Sequence, residues 1–374
     1  MRAVGLLLMA GGAAFAIPEC TVNGKYVNPS NGATTDGITG LMICREDGRT
    51  VREEELRDGR FMGVRRFFES DGSVKESHIN ERGNRDGAYV EKDAQGTVRL
   101  SGQYADGSGV GLFRKFYSGG KLDGIWWEEQ GRTVASLSFN ADGSLHEIDC
   151  GERSYFAEDR QPCGFGGKPV TSALYSGRRS LAARETWQSG HLVKLERYGD
   201  NETISLQALV EEGRRVSRTF FANGKKRTEI SYDPDLPAAG LLDRSPNRIE
   251  REWAPAGQIV HQSRFQNGVE VEAEDWYLNG KRGRKMTAES AERGAIRIVE
   301  KYRDDGSLAG RERHRGGTLI GVQEYFHPNG KLAQQDRYEM REGGRDSYVA
   351  ARKTWDESGK AISDESFFED GSRK

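Results

Sequence analysis

The sequence predicts an all-β fold, an elongated array of antiparallel β-hairpins of about 24 residues each. Three observations carry this. Glycines recur at a fixed step in three ladders, Gly48-Gly72-Gly96-Gly120, Gly59-Gly83-Gly107-Gly131 and Gly63-Gly87-Gly111. Many of these glycines sit in a turn signature of Asp, Asn or a small polar residue, Gly, a polar residue and Val or Leu, as in Asp71-Gly72-Ser73-Val74 and Asp142-Gly143-Ser144-Leu145. Such dipeptides between apolar stretches are strong hairpin signals, and two turns per period leave room for two strands. Adjacent aromatic residues precede many of the turns, and neighbouring positions on a strand face opposite sides of a sheet. No single hairpin buries enough apolar surface to stand alone, so stacked neighbours supply the core.

The elements follow in order. Residues 1–16 read as a signal peptide: Met1-Arg2, an apolar run from Ala3 to Ala13, and the small-x-small site Ala14-Phe15-Ala16. Lipidation at Cys20 is disfavoured, because Ile17-Pro18-Glu19 lacks the small residues that chemistry wants. Residues 17–47 form an N-terminal cap that closes an open strand edge. Residues 48–145 are regular repeats. Residues 146–175, with Pro162 and Gly164-Phe165-Gly166-Gly167, break the period as a disulfide-stapled insert. Residues 176–374 resume the array less regularly, with a second irregular piece from Pro234 to Pro246 and strand character returning at Ile296-Arg297-Ile298-Val299.

Composition suits much surface and a thin core: 35% hydrophobic, 30% charged, 48 glycines, and a net charge of −2 with both signs mixed along 374 residues. Nothing in it points to nucleic acid. The apolar N-terminal run is too short to cross a bilayer, and no transmembrane segment is expected in the mature chain. All four cysteines, Cys20, Cys44, Cys150 and Cys163, follow the cleavage point, so an exported chain is expected to pair them. Three connectivities exist, and the sequence-local one, Cys20–Cys44 with Cys150–Cys163, closes the short loops. A four-cysteine zinc site fails for want of any Cys-x-x-Cys.

The aromatic pairs are Phe67-Phe68, Phe116-Tyr117, Trp126-Trp127, Phe220-Phe221, Trp276-Tyr277, Tyr325-Phe326 and Phe367-Phe368. Two readings stand. Aromatic ladders stack for stability, shielded by long Arg, Lys and Glu stems. Alternatively the outward ladder is a recognition strip for protein, lipid headgroup or glycan, with Trp126, Trp127, Trp276 and Tyr277 as candidate anchors. The segment Tyr325-Phe326-His327-Pro328-Asn329-Gly330-Lys331-Leu332 resembles the variant MORN repeat, whose hairpins form long twisted antiparallel sheets. The resemblance spans about Gly48 to Gly371 with breaks at the irregular segments. It also implies a likeness to bacterial antitoxin or immunity repeat proteins.

Catalytic signatures are missing. Six scattered histidines form no metal-spaced pair, Gly164 to Lys168 lacks the phosphate-loop pattern, and Asp233-Pro234-Asp235 with Asp243 lacks the glycine and terminal glutamate of a calcium loop. The charge runs Glu53-Glu54-Glu55 and Lys281-Arg282-Gly283-Arg284-Lys285 read as solvated hairpin ends. The expectation is an exported, periplasmic or extracellular binding scaffold without cofactor or metal and without enzymatic activity, partnered by a protein such as a toxin. The alternatives are a structural module associated with glycan or envelope polymer, and a hydrolase in the 146–175 insert.

Overall fold

The computed structural model describes residues 18–177, 179–233, 240–242, 244–344 and 346–374. The signal-peptide segment lies outside the described residues, as do Pro234, Asp235 and Asp243 of the calcium-loop reading. The chain is all-β, and the described residues contain no α-helix. Two compact units divide it, one comprising Met1–Val170 with Leu174–Arg178, the other Thr171–Ala173 with Arg179–Lys374.

The first sheet has 12 strands: β1 Glu19–Val22, β2 Lys25–Val27, β3 Gly40–Glu46, β4 Arg49–Arg57, β5 Arg60–Phe68, β6 Val74–Ile79, β7 Arg85–Lys92, β8 Val98–Ala105, β9 Ser108–Phe116, β10 Leu122–Glu129, β11 Arg132–Phe139 and β12 Leu145–Asp149. From β3 to β12 they pair in sequence order, while β1 sits between β3 and the edge strand β2. The second sheet has 17 strands in sequence order, ending at Ala361–Ser366.

The hairpins of the first sheet use two kinds of turn. At Asp47-Gly48, Asp58-Gly59, Asp106-Gly107 and Gln130-Gly131 both residues have positive φ, which makes tight two-residue turns whose twist matches the flanking strands. The Asp71-Gly72 class is wider. Glu69 donates to the Ser73 carbonyl at 2.9 Å, Gly72 donates back to Glu69 at 3.1 Å, and Asp71 Oδ1 accepts from the Ser73 amide at 2.9 Å. The same backbone bonds recur at Asp93, Tyr117 and Asn140. The third glycine ladder is no turn at all. Gly63, Gly87 and Gly111 lie within strands at positive φ, beside register shifts in β4–β5, β6–β7 and β8–β9.

The N-terminal edge is closed by the chain's own loop. Cys20 and Cys44 face each other with Cα atoms 3.9 Å apart, the close spacing of a non-hydrogen-bonded pair. Cys20 therefore bonds through its backbone to Val27 of β2, and the outward positions of β2 are Tyr26 and Asn28. The Asn28 amide donates to Thr34 Oγ1 at 2.8 Å, and its carbonyl accepts from the Asn31 amide at 2.9 Å. A three-residue edge strand with its next backbone pair occupied offers little template to another chain.

Side chains two apart share a strand face, and the molecule uses this to satisfy its rings. Trp126 Nε1 donates to Glu128 at 2.9 Å, Trp187 Nε1 to Glu185 at 2.9 Å, and the Tyr302 hydroxyl to Glu300 at 2.8 Å. Cations from neighbouring strands cover ring faces. Lys226 Nζ lies 4.4 Å from the Trp253 ring centre and the Arg248 guanidinium 3.7 Å from that of Phe265.

One row of directly opposed residues crosses the second unit: Arg184, Glu196, Gln207, Arg218, Glu229, Arg251, Gln262, Glu274, Lys285, Glu300, Arg311, Glu324, Gln335, Lys353 and Asp364. Apart from the glutamines, the charges alternate in sign throughout. From Glu196 to Gln262 each neighbouring pair is hydrogen-bonded, at 3.2, 3.3, 2.8, 3.2 and 2.9 Å. Opposite charges across strands stabilise a sheet and like charges destabilise it, so the row favours one register. The adjacent row on the other face is the core: Leu195, Ala208, Ser263, Ala273, Met286 and Val299 are buried.

Candidate binding groove

The first unit carries an open groove of about 560 Å³. Its floor is a single cross-strand row on one face, Val27, Cys20, Cys44, Arg52 and Phe67, contributed by β2, β1, β3, β4 and β5. Asn28, Pro29 and Ser30 line it at one side, and the hairpin-end residues Glu46, Arg49, Phe68, Glu69 and Ser70 complete it. The Cys20–Cys44 disulfide forms part of this floor and packs into a buried cluster with Val22, Val27, Met42 and Leu56. Tyr26, which is 64% exposed, and Phe67 add aromatic surface.

Beside the floor, on the same face, lies an ion triad with a buried carboxylate at its centre. Strand alternation puts Arg52, Glu54 and Leu56 on one face, and register sets Glu54 opposite Arg65. Glu54 is 0% exposed. Its Oε2 accepts from Arg52, with Nε at 2.9 Å, and its Oε1 accepts from Arg65. A carboxylate removed from water is costly unless paired, and here both oxygens are paired. The triad retains one positive charge. Arg52 is fixed further by Phe61 and Phe67, each ring centre 5.5 Å from its guanidinium carbon. Among the described residues its Nη1 has no hydrogen-bond partner, which leaves donors available on the groove side.

Reading Glu53-Glu54-Glu55 as a solvated hairpin end is therefore corrected at its middle residue. Period-two alternation, with Arg52 before and Leu56 after, was the signal that Glu54 faces inward. The run Lys281 to Lys285 is likewise engaged, with Arg282 on Glu274 at 3.0 Å, Arg284 on Asp275 at 3.1 Å, and Lys285 in the charged row.

The four aromatic anchors divide between the two units, and within each unit the two side chains take different partners. Trp126 stacks on Phe113, ring centres 5.4 Å apart, at the end of a contact chain through Tyr104 to Tyr89. Trp127 faces the other side and meets Tyr155 of the insert at 5.9 Å. In the second unit, Trp276 is half-buried opposite Arg282, two positions beyond Glu274 of the charged row. Tyr277 lies against Gly283 and donates its hydroxyl to the Tyr302 carbonyl at 2.8 Å. Each is engaged within the chain.

The second cysteine pair is Cys150–Cys163, with Cα atoms 5.8 Å apart. It holds the segment after β12 against the face that carries Ile125, Leu137 and Ile148, all three buried. Arg114 reaches Glu158 at 3.4 Å, and Arg153 reaches Glu129 at 3.0 Å. Buried Asp159 organises the segment, accepting from Ser154 Oγ at 2.6 Å and the Tyr155 amide at 2.8 Å. The corresponding rows are Glu53–Arg66–Glu76 where the sheet lies open and Ile125–Leu137–Ile148 beneath the insert. Among the described residues no group of three His, Cys, Asp or Glu is placed to hold a metal ion, and no helix is long and apolar enough to cross a membrane.

Residues 319–340 match the MORN repeat variant. The match covers the strand Gly321–Phe326, the Asn329-Gly330 turn and the strand Leu332–Met340. No curated protein matches the chain. Two solved structures of TcdB2-TccC3, one of them without the hypervariable C-terminal region, align at 11% identity over 90% of this chain. The chain spans 23% and 24% of their lengths, and the TM-score of 0.17 gives no basis for transferring an arrangement. What the chain has in its own right is a repeat-built β scaffold with two disulfides.

Proposed function

We propose that this chain is an exported binding scaffold that acts by occluding a protein partner, without catalysis and without a cofactor. The observation that carries the reading is the groove beside the Arg52–Glu54–Arg65 triad, where aromatic rings and an immobilised guanidinium meet at the surface. Tyrosine and arginine are among the residues that most often dominate binding energy at interfaces. Export is supported by the two disulfides, which persist in oxidising compartments, together with the signal-peptide pattern. A toxin as the partner is what the sequence resemblance to immunity repeat proteins implies, and the repeat match at residues 319–340 supports the repeat type alone. The test is affinity capture from the envelope and secreted fractions with the chain from Ile17, disulfides intact. One stoichiometric protein, released by Tyr26→Ser with Arg49→Gln in a variant that melts like the parent, is the expected result. Recovery of envelope polymer alone would replace this reading with the glycan-associated one.

A further inference from the structure

We infer that the groove between the Cys20–Cys44 disulfide and Phe67 binds a carboxylate carried on an apolar group, presented by a polypeptide segment of the partner. The inference rests on the binding-scaffold reading and names what the groove takes from that partner. Charge complementarity is the argument. Among the charged residues lining the groove, Glu69 is paired with Lys75 at 2.9 Å and Glu46 stands opposite Arg49 in the strand register. Arg52 belongs to a triad in which one carboxylate serves two guanidiniums. The surplus charge is positive, and the spare Nη1 donors are planar, directional and held by two rings. Around them the accessible apolar surface comes from Val51, Phe67 and Phe68, backed by the buried Val27 and disulfide. A neutral polar ligand would leave the charge unanswered, and a free inorganic anion would leave the apolar floor wet. An acidic or C-terminal carboxylate beside a leucine- or phenylalanine-sized side chain answers both.

The test titrates the full oxidised chain with N-acetyl-leucyl-phenylalanine, with its C-terminal amide and with decanoate, by calorimetry and by the arginine side-chain N–H resonances. The acid is expected to bind at least about tenfold more tightly than the amide, as a charge-assisted guanidinium pair requires, and to shift the Arg52 resonance. Arg52→Lys, which keeps the charge but loses the planar fork, is expected to lose most of that preference. Tyr26→Ser, at an exposed position that leaves the triad intact, is expected to weaken both peptides alike. Equal binding of acid and amide, or an unchanged preference in folded Arg52→Lys, would overturn the inference. Decanoate binding that the peptide acid fails to displace would assign the groove to a lipid and overturn the polypeptide source. Failure of every probe in a preparation that still captures its partner removes the groove and leaves the scaffold. Peptide binding without any captured partner does the reverse.

Discussion

Arg218 and Glu229 face each other on adjacent strands with Nε 2.8 Å from Oε2, and each also serves a second strand. Arg218 reaches back to Gln207 at 3.3 Å, and Glu229 accepts from Arg251 at 3.2 Å. The pair is thus a link in a row, and its contribution is expected to depend on its neighbours.

Reversing one link tests this. Glu229→Lys would set a cation between Arg218 and Arg251, so that like charges follow one another across three strands. A cross-strand charge pair contributes roughly 0.2–1 kcal/mol, and two pairs are turned repulsive, so a loss of about 1–2 kcal/mol is expected. The melting temperature should fall more at low salt than at high salt. A compensating Arg218→Glu in the same chain should recover part of the loss, which a double-mutant cycle would read.

Three carboxylates of the row, together with Glu312 on the opposite face, set an acid limit. At Glu196, Glu229, Glu300 and Glu312 burial alone would raise the carboxyl pKa, but hydrogen bonds and charges from Lys194, Arg218, Lys226, Tyr302, Arg311 and Lys301 outweigh it and hold all four below the ordinary 4.5. A depressed folded pKa adds stability above the unfolded value and loses it as pH falls through the folded one. Chemical denaturation should therefore show a plateau above about pH 5 and a decline below about pH 4.5, steeper for the parent than for Glu229→Gln.

Changing Cys150 and Cys163 together to Ser should cost about 2–4 kcal/mol in the first unit. Loosening of the insert would uncover Ile125, Leu137 and Ile148. Increased binding of a hydrophobic dye and new proteolytic cuts between Gly151 and Lys168 are expected, with circular dichroism still dominated by strand.

Gly102 lies under the Phe113 ring, where an added Cβ would come within 2.1 Å of ring carbons. Gly102→Ala should displace Phe113 from its contacts with Tyr104 and Trp126. The expected destabilisation is about 1–3 kcal/mol, and equilibrium urea unfolding measures it.

The hairpin array was legible because its turns are local chemistry: the backbone at Gly72 or Gly330 must reach positive φ whatever surrounds it. Strand existence and the two turns per period followed from spacing alone. The groove was not legible, since its floor joins Val27, Cys20, Cys44, Arg52 and Phe67 through a register in which β1 inserts between β2 and β3. Nor was the fate of the aromatic pairs, because Trp126 and Trp127 differ only in which face each meets. That was decided by Tyr155, far along the chain in an irregular insert. The charged row lay in plain sight, but the step between its members is uneven, short from Glu196 to Gln207 and twice as long from Glu229 to Arg251, and only the bulges and loops bring them level.

Between Glu274 and Glu324 each strand that joins the row adds one charge opposite in sign to the last. Duplicating or deleting a whole hairpin there would leave each newly created neighbour complementary, whereas gaining or losing a single strand would set like charges side by side. Gene duplication in units of one repeat can thus lengthen or shorten this stretch without an electrostatic mismatch at the seam, and it carries its own rule for how it can grow.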